Sequence, residues 1–179
     1  MKSSVFIATS LDGYIARPDG GLDWLPKNGG EPHGYDEFMA SVDALVIGRN
    51  TYETVLGFGG WAYGCKPVVV LSNTLKKLVL PAGAVCELMA GTPADIVLRL
   101  AGRGIRHLYI DGGVTIQGFL RAGLIQRMVI TRIPVLLGSG IPLFGELPQD
   151  IRFEHVATRA FASGMVQSEY IIPERSRDL

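Results

Sequence analysis

Three short apolar runs in the sequence are each followed by small or polar residues whose types and spacing suit phosphate binding. The three sets are Gly48, Arg49, Asn50 and Thr51; Leu71, Ser72 and Asn73; and Ile110, Asp111, Gly112 and Gly113. A helix that begins after a strand offers free N–H groups and a positive dipole end to a phosphate. The arginine, serine and asparagine could bind a further phosphate or a ribose oxygen. A Gly-Gly turn is usually only a turn, but three such sets in one short chain predict a nucleotide site.

Asp36 is the carboxylate best suited to proton transfer. It lies near Phe38 in a short helical pattern, directly after a loop rich in glycine and proline at 17–34. Apolar surroundings would raise its pKa and let it bind or protonate a polar heterocycle. The alternative is an exposed aspartate that complements the helix dipole, and both interpretations stay open.

Two tryptophans lie in loops that are rich in glycine. Trp24 and Trp61 could each stack on a ligand or close a small local core, and packing is the simpler interpretation for Trp61. We expect Trp24, Asp36 and Phe38 on the substrate side of the site.

Several common catalytic and metal-binding motifs are missing. No GxGxxG fingerprint follows any apolar run, and the stretch at 59–66 has Cys65 where a phosphate-binding loop needs its lysine. The histidines His33, His107 and His155 are isolated from acidic residues at ligand spacing, and there is no GxSxG elbow. We therefore expect no metal site and no hydrolase triad.

Apolar runs alternate with helical patterns along most of the chain, and this alternation predicts the elements that hold these residues. Buried strands are expected at 5–8, 44–47, 67–71, 84–88 and 107–110, and helices at 35–41, 50–56, after 92 and after 113. Beyond 127 the helices stop, and strands are expected at 128–136, 153–161 and 165–172, with a hairpin loop at 162–164. This order predicts a single α/β domain in which antiparallel strands end a mainly parallel sheet.

Composition excludes several classes of protein. The 179 residues suit one domain, and with 47% hydrophobic and 19% charged residues they can bury a large core. Lys and Arg number 17, as do Asp and Glu, so we expect neither nucleic acid nor membrane as a partner. Two distant cysteines and the absence of a signal peptide favour reduced thiols in the cytoplasm. The 23 glycines, about twice the usual share, suggest tight turns or close approach to a ligand.

Six stretches between residues 4 and 172 occur in an order that resembles a known family. They are F-I-A-T-S-L-D-G-Y-I-A at 6–16, L-D-W at 22–24, I-G-R-N-T-Y-E at 47–53, V-V-L-S-N at 69–73, Y-I-D-G-G at 109–113 and P-V-L-L-G-S-G-I-P-L-F at 134–144. They resemble the dihydrofolate reductase-like superfamily, and in particular the branch that includes the reductase domain of bacterial riboflavin biosynthesis. The resemblance implies an eight-stranded, mostly parallel sheet flanked by helices, and NADPH as the cofactor.

The same resemblance implies a cofactor site around the three strand ends. Arg49, with Ser72 and Asn73, would bind the adenosine 2′-phosphate, and the nicotinamide would lie between Ala8 and Ile15. The full set of implied cofactor residues is Ala8, Ile15, Gly48, Arg49, Asn50, Thr51, Leu71, Ser72, Asn73, Ile110, Gly112, Gly113, Val114 and Thr115.

The sequence departs from folate reductases at the proton donor. If Phe38 matches their helix phenylalanine, Gly34 holds the position of their acid and Asp36 lies two residues away. Reduction of a phosphoribosylamino-pyrimidine depends more on hydride placement, so the resemblance favours a reductase of 5-amino-6-(5-phosphoribosylamino)uracil or a related compound. Dihydrofolate reduction and a non-catalytic NADP-binding module stay open as alternatives.

The resemblance covers one module only. The zinc-binding deaminase half that accompanies many riboflavin reductases is missing, so we expect a stand-alone reductase domain at 1–173 and a polar tail at 174–179. The apolar stretch at 128–137 could provide the interface of a homodimer.

Overall fold

The computed structural model describes residues 1–26 and 32–173, which form two sheets and four helices. The strands are β1 (Lys2–Thr9), β2 (Tyr14–Ala16), β3 (Ala44–Gly48), β4 (Val68–Leu71), β5 (Cys86–Met89), β6 (His107–Asp111), β7 (Arg127–Arg132), β8 (Ile141–Pro142), β9 (Glu154–Ala160) and β10 (Val166–Ile171). The helices are α1 (Tyr35–Ser41), α2 (Arg49–Leu56), α3 (Pro93–Gly102) and α4 (Gly113–Arg121).

The main sheet has eight strands in the order β5-β4-β3-β6-β1-β7-β10-β9. The six strands from β5 to β7 pair in parallel, and β10 pairs antiparallel with both β7 and β9. The inner strands β3 and β4 are apolar without alternation and buried on both faces, as parallel strands under helices must be. The predicted mostly parallel α/β sheet with an antiparallel C-terminal hairpin is confirmed.

Helices cover both faces of the sheet and divide the core into two layers. Ile96 of α3 and Phe119 of α4 pack on one face with Ile110. Phe38 of α1 and residues of α2 pack on the other face with Tyr109. Because successive side chains of a strand point to opposite faces, Asp111 lies on the same face as Tyr109.

The start of α3 shows how the sequence sets a boundary. Thr92 and Asp95 form a capping box, in which the Thr92 hydroxyl accepts a hydrogen bond from Asp95 N and the Asp95 carboxylate accepts one from Thr92 N. Pro93 occupies the first turn, where its missing N–H costs no hydrogen bond.

The pairing of β7, β10 and β9 determines which strand is outermost on this side of the sheet. β7 lies between β1 and β10, and its residues Met128, Val129 and Thr131 are buried. The homodimer interface expected at 128–137 stays a prediction; because both edges of β7 are paired, it would have to use side chains beyond Arg132, such as the exposed Leu136. On this side of the sheet the outermost strand is β9, which is exposed along its whole length.

The described residues also bear on membranes and metals. No helix within them is long and apolar enough to cross a membrane, and no group of three or more of their His, Cys, Asp and Glu side chains could hold a metal ion. The tail predicted at 174–179, and glycines 29 and 30 of the predicted loop, lie outside the described residues.

Candidate functional site

The three sequence-predicted strand ends lie together at one edge of the main sheet. β3, β4 and β6 are parallel neighbours, and their register pairs Gly48 with Leu71 and Ile47 with Asp111. Ligands of open α/β sheets bind at the carboxyl ends of parallel strands. The residues that the sequence singled out for a nucleotide therefore share one edge.

The helices α2 and α4 begin at this edge, and neither N-terminus has a side-chain cap. The N-cap residues are Gly48 and Gly112, and neither helix shows a capping hydrogen bond from a side chain. The first N–H groups of an α-helix have no partner within the helix. These two helix ends are thus able to donate to phosphate oxygens.

The glycines at this edge let the two helices approach each other. A Cβ at Gly48 would lie 2.8 Å from Thr115 Oγ1, and a Cβ at Gly112 would collide with Thr51 Oγ1. Gly112 also has a φ of 93°, which side-chain-bearing residues rarely adopt. The sequence suggested that these glycines make room for phosphate, whereas the structure shows that they make room for two threonines.

The polar residues predicted to bind a 2′-phosphate differ in the partners that their side chains already have. Arg49 is about half exposed and lies 3.8 Å from Glu53, a weak ion pair that an anion could replace. Ser72 Oγ accepts hydrogen bonds from the backbone N–H groups of Thr74 and Leu75, so its hydroxyl oxygen already closes a turn. Asn73 is exposed beside it.

A cavity of about 240 Å³ opens beside β1. It is lined by Phe6, Ile7, Ala8, Leu25, Pro26, His33, Tyr35, Thr131, Ile133 and Met165. The described residues that line it include neither a lysine nor an arginine, and most of them are apolar. A cavity of this character suits a planar ring with a few polar atoms.

The two residues expected beside the nicotinamide border this region. Ala8 lines the cavity from β1, and a Cβ at Gly113 would lie 3.0 Å from Ile15 Cδ1. Ile15 thus touches the start of α4, while Ala8 belongs to the cavity. Because β1 runs parallel to β6 and Ala8 lies near its carboxyl end, the cavity and the nucleotide edge lie at the same end of the sheet.

Hydrogen bonds fix the far wall of the cavity. Gln167 of β10 donates through Nε2 to Thr131 Oγ1 at 2.9 Å and to the carbonyl of His33 at 3.0 Å. The backbone around His33 is therefore tied to the C-terminal hairpin. Neither Thr131 nor Gln167 was predicted; the signal available for Thr131 was one hydroxyl in an otherwise apolar strand.

Asp111 is an enclosed carboxyl on the face of the sheet that carries this cavity. Ser4 of β1 pairs with Tyr109 of β6, and Phe6 and Asp111 each lie two residues further along their strands, at matching positions. The Asp111 Oδ1 accepts a hydrogen bond from Gly112 N at 2.8 Å. Burial raises its pKa to about 6, against the opposing effect of that N–H group and of the Tyr63 hydroxyl. The sequence placed Asp111 in a motif without giving it a role.

Tyrosines surround this carboxyl. Burial and the charge of Asp111 raise the pKa of Tyr63, and burial with the same charge raises the pKa of Tyr35 to about 12. Tyr35 lines the cavity and packs edge-on against Phe6 with ring centroids 5.6 Å apart. Tyr35 is thus close to Asp111 and also lines the cavity, and all these hydroxyls stay protonated at neutral pH.

Four predicted site residues do not line the cavity. Asp36 is exposed in the first turn of α1 and does not line the cavity, which fits the dipole interpretation. Phe38 is buried behind Phe6, at 5.0 Å between ring centroids, and forms core. Ile110 is fully buried in the opposite layer, whereas Val114 is exposed to solvent. These positions follow from α1 and β6 presenting their apolar side chains to the core.

Trp24 lies beside the cavity without lining it. It packs with Ala8, Ile133 and Met165, and its buried Nε1 has no hydrogen-bond partner among the described residues. Trp61 packs against Tyr63 in the other core layer, as the packing interpretation predicts.

Asp12 joins the loop after β1 to the loop after β7. Its carboxylate accepts hydrogen bonds from Ser10 Oγ at 2.6 Å, from Gly138 N at 2.7 Å and from Leu137 N at 3.2 Å. The Ser10 hydroxyl and these N–H groups lower the pKa of Asp12. One exposed carboxylate therefore holds together two loops beside β2.

A larger cavity of about 660 Å³ lies near the end of α4. It is lined by Leu120, Arg121, Gly123, Pro148, Gln149, Asp150, Ile151, Arg152, Ile172 and Pro173. It contains none of the predicted site residues and lies at the opposite edge of the sheet. We therefore assign the site to the smaller cavity.

The chain matches a family model and a curated relative over most of its length. Residues 4–167 match the family model described as the RibD C-terminal domain. A curated relative, uncharacterized protein YwjB of Bacillus subtilis (strain 168), is 32% identical over 95% of this chain and 97% of its own.

Solved structures share the fold. A protein from Shewanella sp. PV-4, whose description relates it to riboflavin biosynthesis, superposes with a TM-score of 0.90 at 45% identity over 97% of this chain and all of its own. The Thermotoga maritima diaminohydroxyphosphoribosylaminopyrimidine deaminase/5-amino-6-(5-phosphoribosylamino)uracil reductase gives 0.76 at 17% identity, over 96% of this chain and 56% of that one. Dihydrofolate reductase from Enterococcus faecalis gives 0.68 at 19% identity, over 97% of both chains.

Proposed function

The chain belongs to the RibD C-terminal domain family, and on that premise we propose that it is an NADPH-dependent reductase of a pyrimidine- or pteridine-type heterocycle. The observation that carries this proposal is the meeting of two features: uncapped helix N-termini at one sheet edge, and an apolar cavity that begins beside the same edge. The uncapped helix N-termini suit the phosphates of a dinucleotide, and the apolar cavity suits a planar ring.

The residues at the sheet edge fit NADPH. The free N–H groups of α2 and α4 would hold the pyrophosphate, and Arg49 would pair with the 2′-phosphate, since a guanidinium matches phosphate geometry. Asn73 is exposed next to that position, whereas Ser72 already closes a turn. Ala8 and Ile15 would flank the nicotinamide. When bound, NADPH supplies hydride to the carbon of a C=N or C=O bond.

The chain itself positions the ring and provides the proton. Phe6, Ala8 and Thr131 enclose the ring and exclude water. Asp111 replaces Asp36 as our proposed acid, because its carboxyl is enclosed and its pKa of about 6 leaves a protonated fraction near neutral pH. Because Tyr35 lines the cavity and Asp111 does not, the proton would pass from the Asp111 carboxyl to the substrate nitrogen or oxygen by way of the Tyr35 hydroxyl, and the carboxylate would take up a proton again before the next turnover.

The best candidate substrate is 5-amino-6-(5-phosphoribosylamino)uracil or a related compound. The family and the 45%-identical Shewanella structure support this class. Dihydrofolate is the weaker candidate, because the Asp36 carboxylate that would serve it is exposed.

Cofactor binding is tested by titrating NADPH and NADH while following thermal stability and tryptophan fluorescence. NADPH should stabilise the protein at micromolar concentration, and no shift at millimolar NADPH would contradict the proposal. Arg49→Ala should lower the preference for NADPH over NADH about 10-fold or more, as loss of a hydrogen bond to a charged group implies. Arg121→Ala, at the opposite edge, is the matched control, and an unchanged ratio in Arg49→Ala would remove Arg49 from the site.

The proton donor is tested by turnover of the uracil substrate. Asp111→Asn should lower kcat by about 10²-fold or more, whereas the exposed Asp36→Asn should leave it near the wild-type value. Equal activity of both variants would remove the acid role from Asp111. NADPH binding without oxidation against a panel of pyrimidines and pterins would favour the non-catalytic module.

A further inference from the structure

A row of four side chains crosses the sheet from the cavity to its outer edge. The register pairs Ala8 with Thr131, Thr131 with Gln167, and Gln167 with Arg159. Directly opposed residues of neighbouring strands point to the same face of a sheet. Arg159 of β9 therefore lies on the face that carries the cavity, and at about 4.8 Å per strand its backbone is about 10 Å from that of Thr131.

An aromatic ring holds the Arg159 guanidinium in place. Its Cζ lies 4.7 Å from the centroid of the Phe161 ring. Phe161 is buried and packs in one cluster with Met165, which lines the cavity. Stacking on a fixed ring restricts the long side chain before any ligand arrives, so less conformational entropy is lost on binding.

The charge of Arg159 is available to a ligand. Within residues 1–26 and 32–173 no carboxylate forms an ion pair with it, and Glu169 on the neighbouring strand is already paired with Arg127 at 2.6 Å. Arg132, the other arginine near Thr131, is its strand neighbour and points to the opposite face. Arg127 shares this face but is paired with Glu169, so Arg159 is the cation without an ion pair that the described strands present beside the cavity.

We propose that Arg159, stacked on Phe161, binds the phosphate monoester of a substrate whose ring occupies the cavity. The lining residues that the structure describes offer a phosphate no arginine or lysine, whereas Arg159 lies two strands from Thr131 on the same face. The sugar and phosphate attached to such a ring would extend past Gln167 toward the guanidinium. This proposal rests on the proposed function for the ring, whereas the phosphate contact stands on the geometry of β9 and β10.

The first test does not depend on any reaction. Ribose 5-phosphate is titrated into the ¹⁵N-labelled protein in the presence of NADP⁺, and the arginine Nε–Hε signals are followed by NMR. The Arg159 signal, assigned from its loss in Arg159→Ala, should shift with saturation at millimolar ligand, and ribose should not shift it. An Arg159 signal that ribose 5-phosphate leaves unmoved overturns the proposal.

The second test compares 5-amino-6-(5-phosphoribosylamino)uracil with its dephosphorylated form by calorimetry on the NADP⁺ complex. Arg159→Ala should weaken the phosphorylated compound about 10- to 100-fold and leave the other unchanged, as loss of a charge-assisted hydrogen bond predicts. Arg159→Lys should recover part of the loss. Arg132→Ala is the matched control and should bind both compounds as the wild type does.

The outcomes separate the two proposals. An equal loss for both compounds, or a lower Tm with unchanged affinities, shows that Arg159 only stabilises the hairpin and overturns the inference. If ribose 5-phosphate shifts Arg159 but no pyrimidine or pterin binds the NADP⁺ complex, the phosphate site stands and the proposed function fails.

Discussion

Replacement of Asp111 by asparagine should stabilise the fold near neutral pH while it removes the proposed acid. Burial raises the pKa of this carboxyl from 3.8 to about 6, so the folded state holds a proton over a pH range in which the unfolded chain has lost it. Ionisation is therefore opposed by the fold. Relative to the variant, the wild-type free energy of unfolding should fall as pH rises from about 4 to about 6, and the difference should stay constant above that.

The size of the effect follows from the same shift. At about 1.4 kcal/mol per pKa unit, the change amounts to about 3 kcal/mol. We take this as an upper bound, because Asp111 as a whole residue keeps some solvent exposure although its carboxyl is enclosed. Asparagine can still accept the hydrogen bond from Gly112 N. For a domain of this length the gain corresponds to a rise in Tm of roughly 6–12 °C at most.

Urea unfolding followed by tryptophan fluorescence at several pH values measures the difference directly. Titrations common to both proteins cancel when the two curves are subtracted, and the neighbouring tyrosines stay protonated throughout the range. Asp36→Asn serves as the control and should change stability by no more than about 0.5 kcal/mol. A flat difference between wild type and Asp111→Asn, or a wild type that gains stability with rising pH, would refute the reasoning.

Three further predictions concern the same edge of the sheet. Gly112→Ala should cost about 2–4 kcal/mol of stability in urea unfolding, because it combines a positive φ with a collision against Thr51; Thr51→Ala in the same chain should recover part of this, and an additive double variant would contradict the contact. Asp12→Ala should lower Tm and raise the KM for NADPH, because two loops beside β2 lose their shared acceptor, and unchanged values of both would show that the loops hold without it. Tyr63→Phe should move the high-pH limb of the pH profile of kcat, where activity falls as Asp111 loses its proton, to higher pH, since the Tyr63 hydroxyl lowers the pKa of Asp111; a shift to lower pH would contradict that assignment.

Patterns within single elements allowed most of the fold to be predicted. The helix at Tyr35–Ser41 and the hairpin loop at 162–164 are confirmed, and the strand predicted at 128–136 is confirmed except that it ends at Arg132. The pair of β2 and β8 was missed. These strands have three and two residues, and their pairing joins segments more than 120 residues apart, so no local periodicity reports it.

The sequence predicted the strand ends of the site but not the walls of its cavity. The strand ends at Gly48, Leu71 and Asp111 could be predicted because parallel strands place their carboxyl ends together. The cavity walls could not, because Thr131 and Tyr35 come from distant segments that meet only through the order of strands. Asp36 was chosen for its place after a loop, but the turn of α1 that buries Phe38 leaves that aspartate in solvent.

The two halves of the site come from different parts of the chain. The residues proposed to hold the cofactor phosphates lie between 48 and 115, in the middle of the sequence. The described residues that line the ring cavity lie before 36 or after 130. Mutations before 36 or after 130 can thus reshape the ring cavity while they leave the proposed phosphate contacts between 48 and 115 unchanged. The substrate of such a scaffold can change without a change of fold.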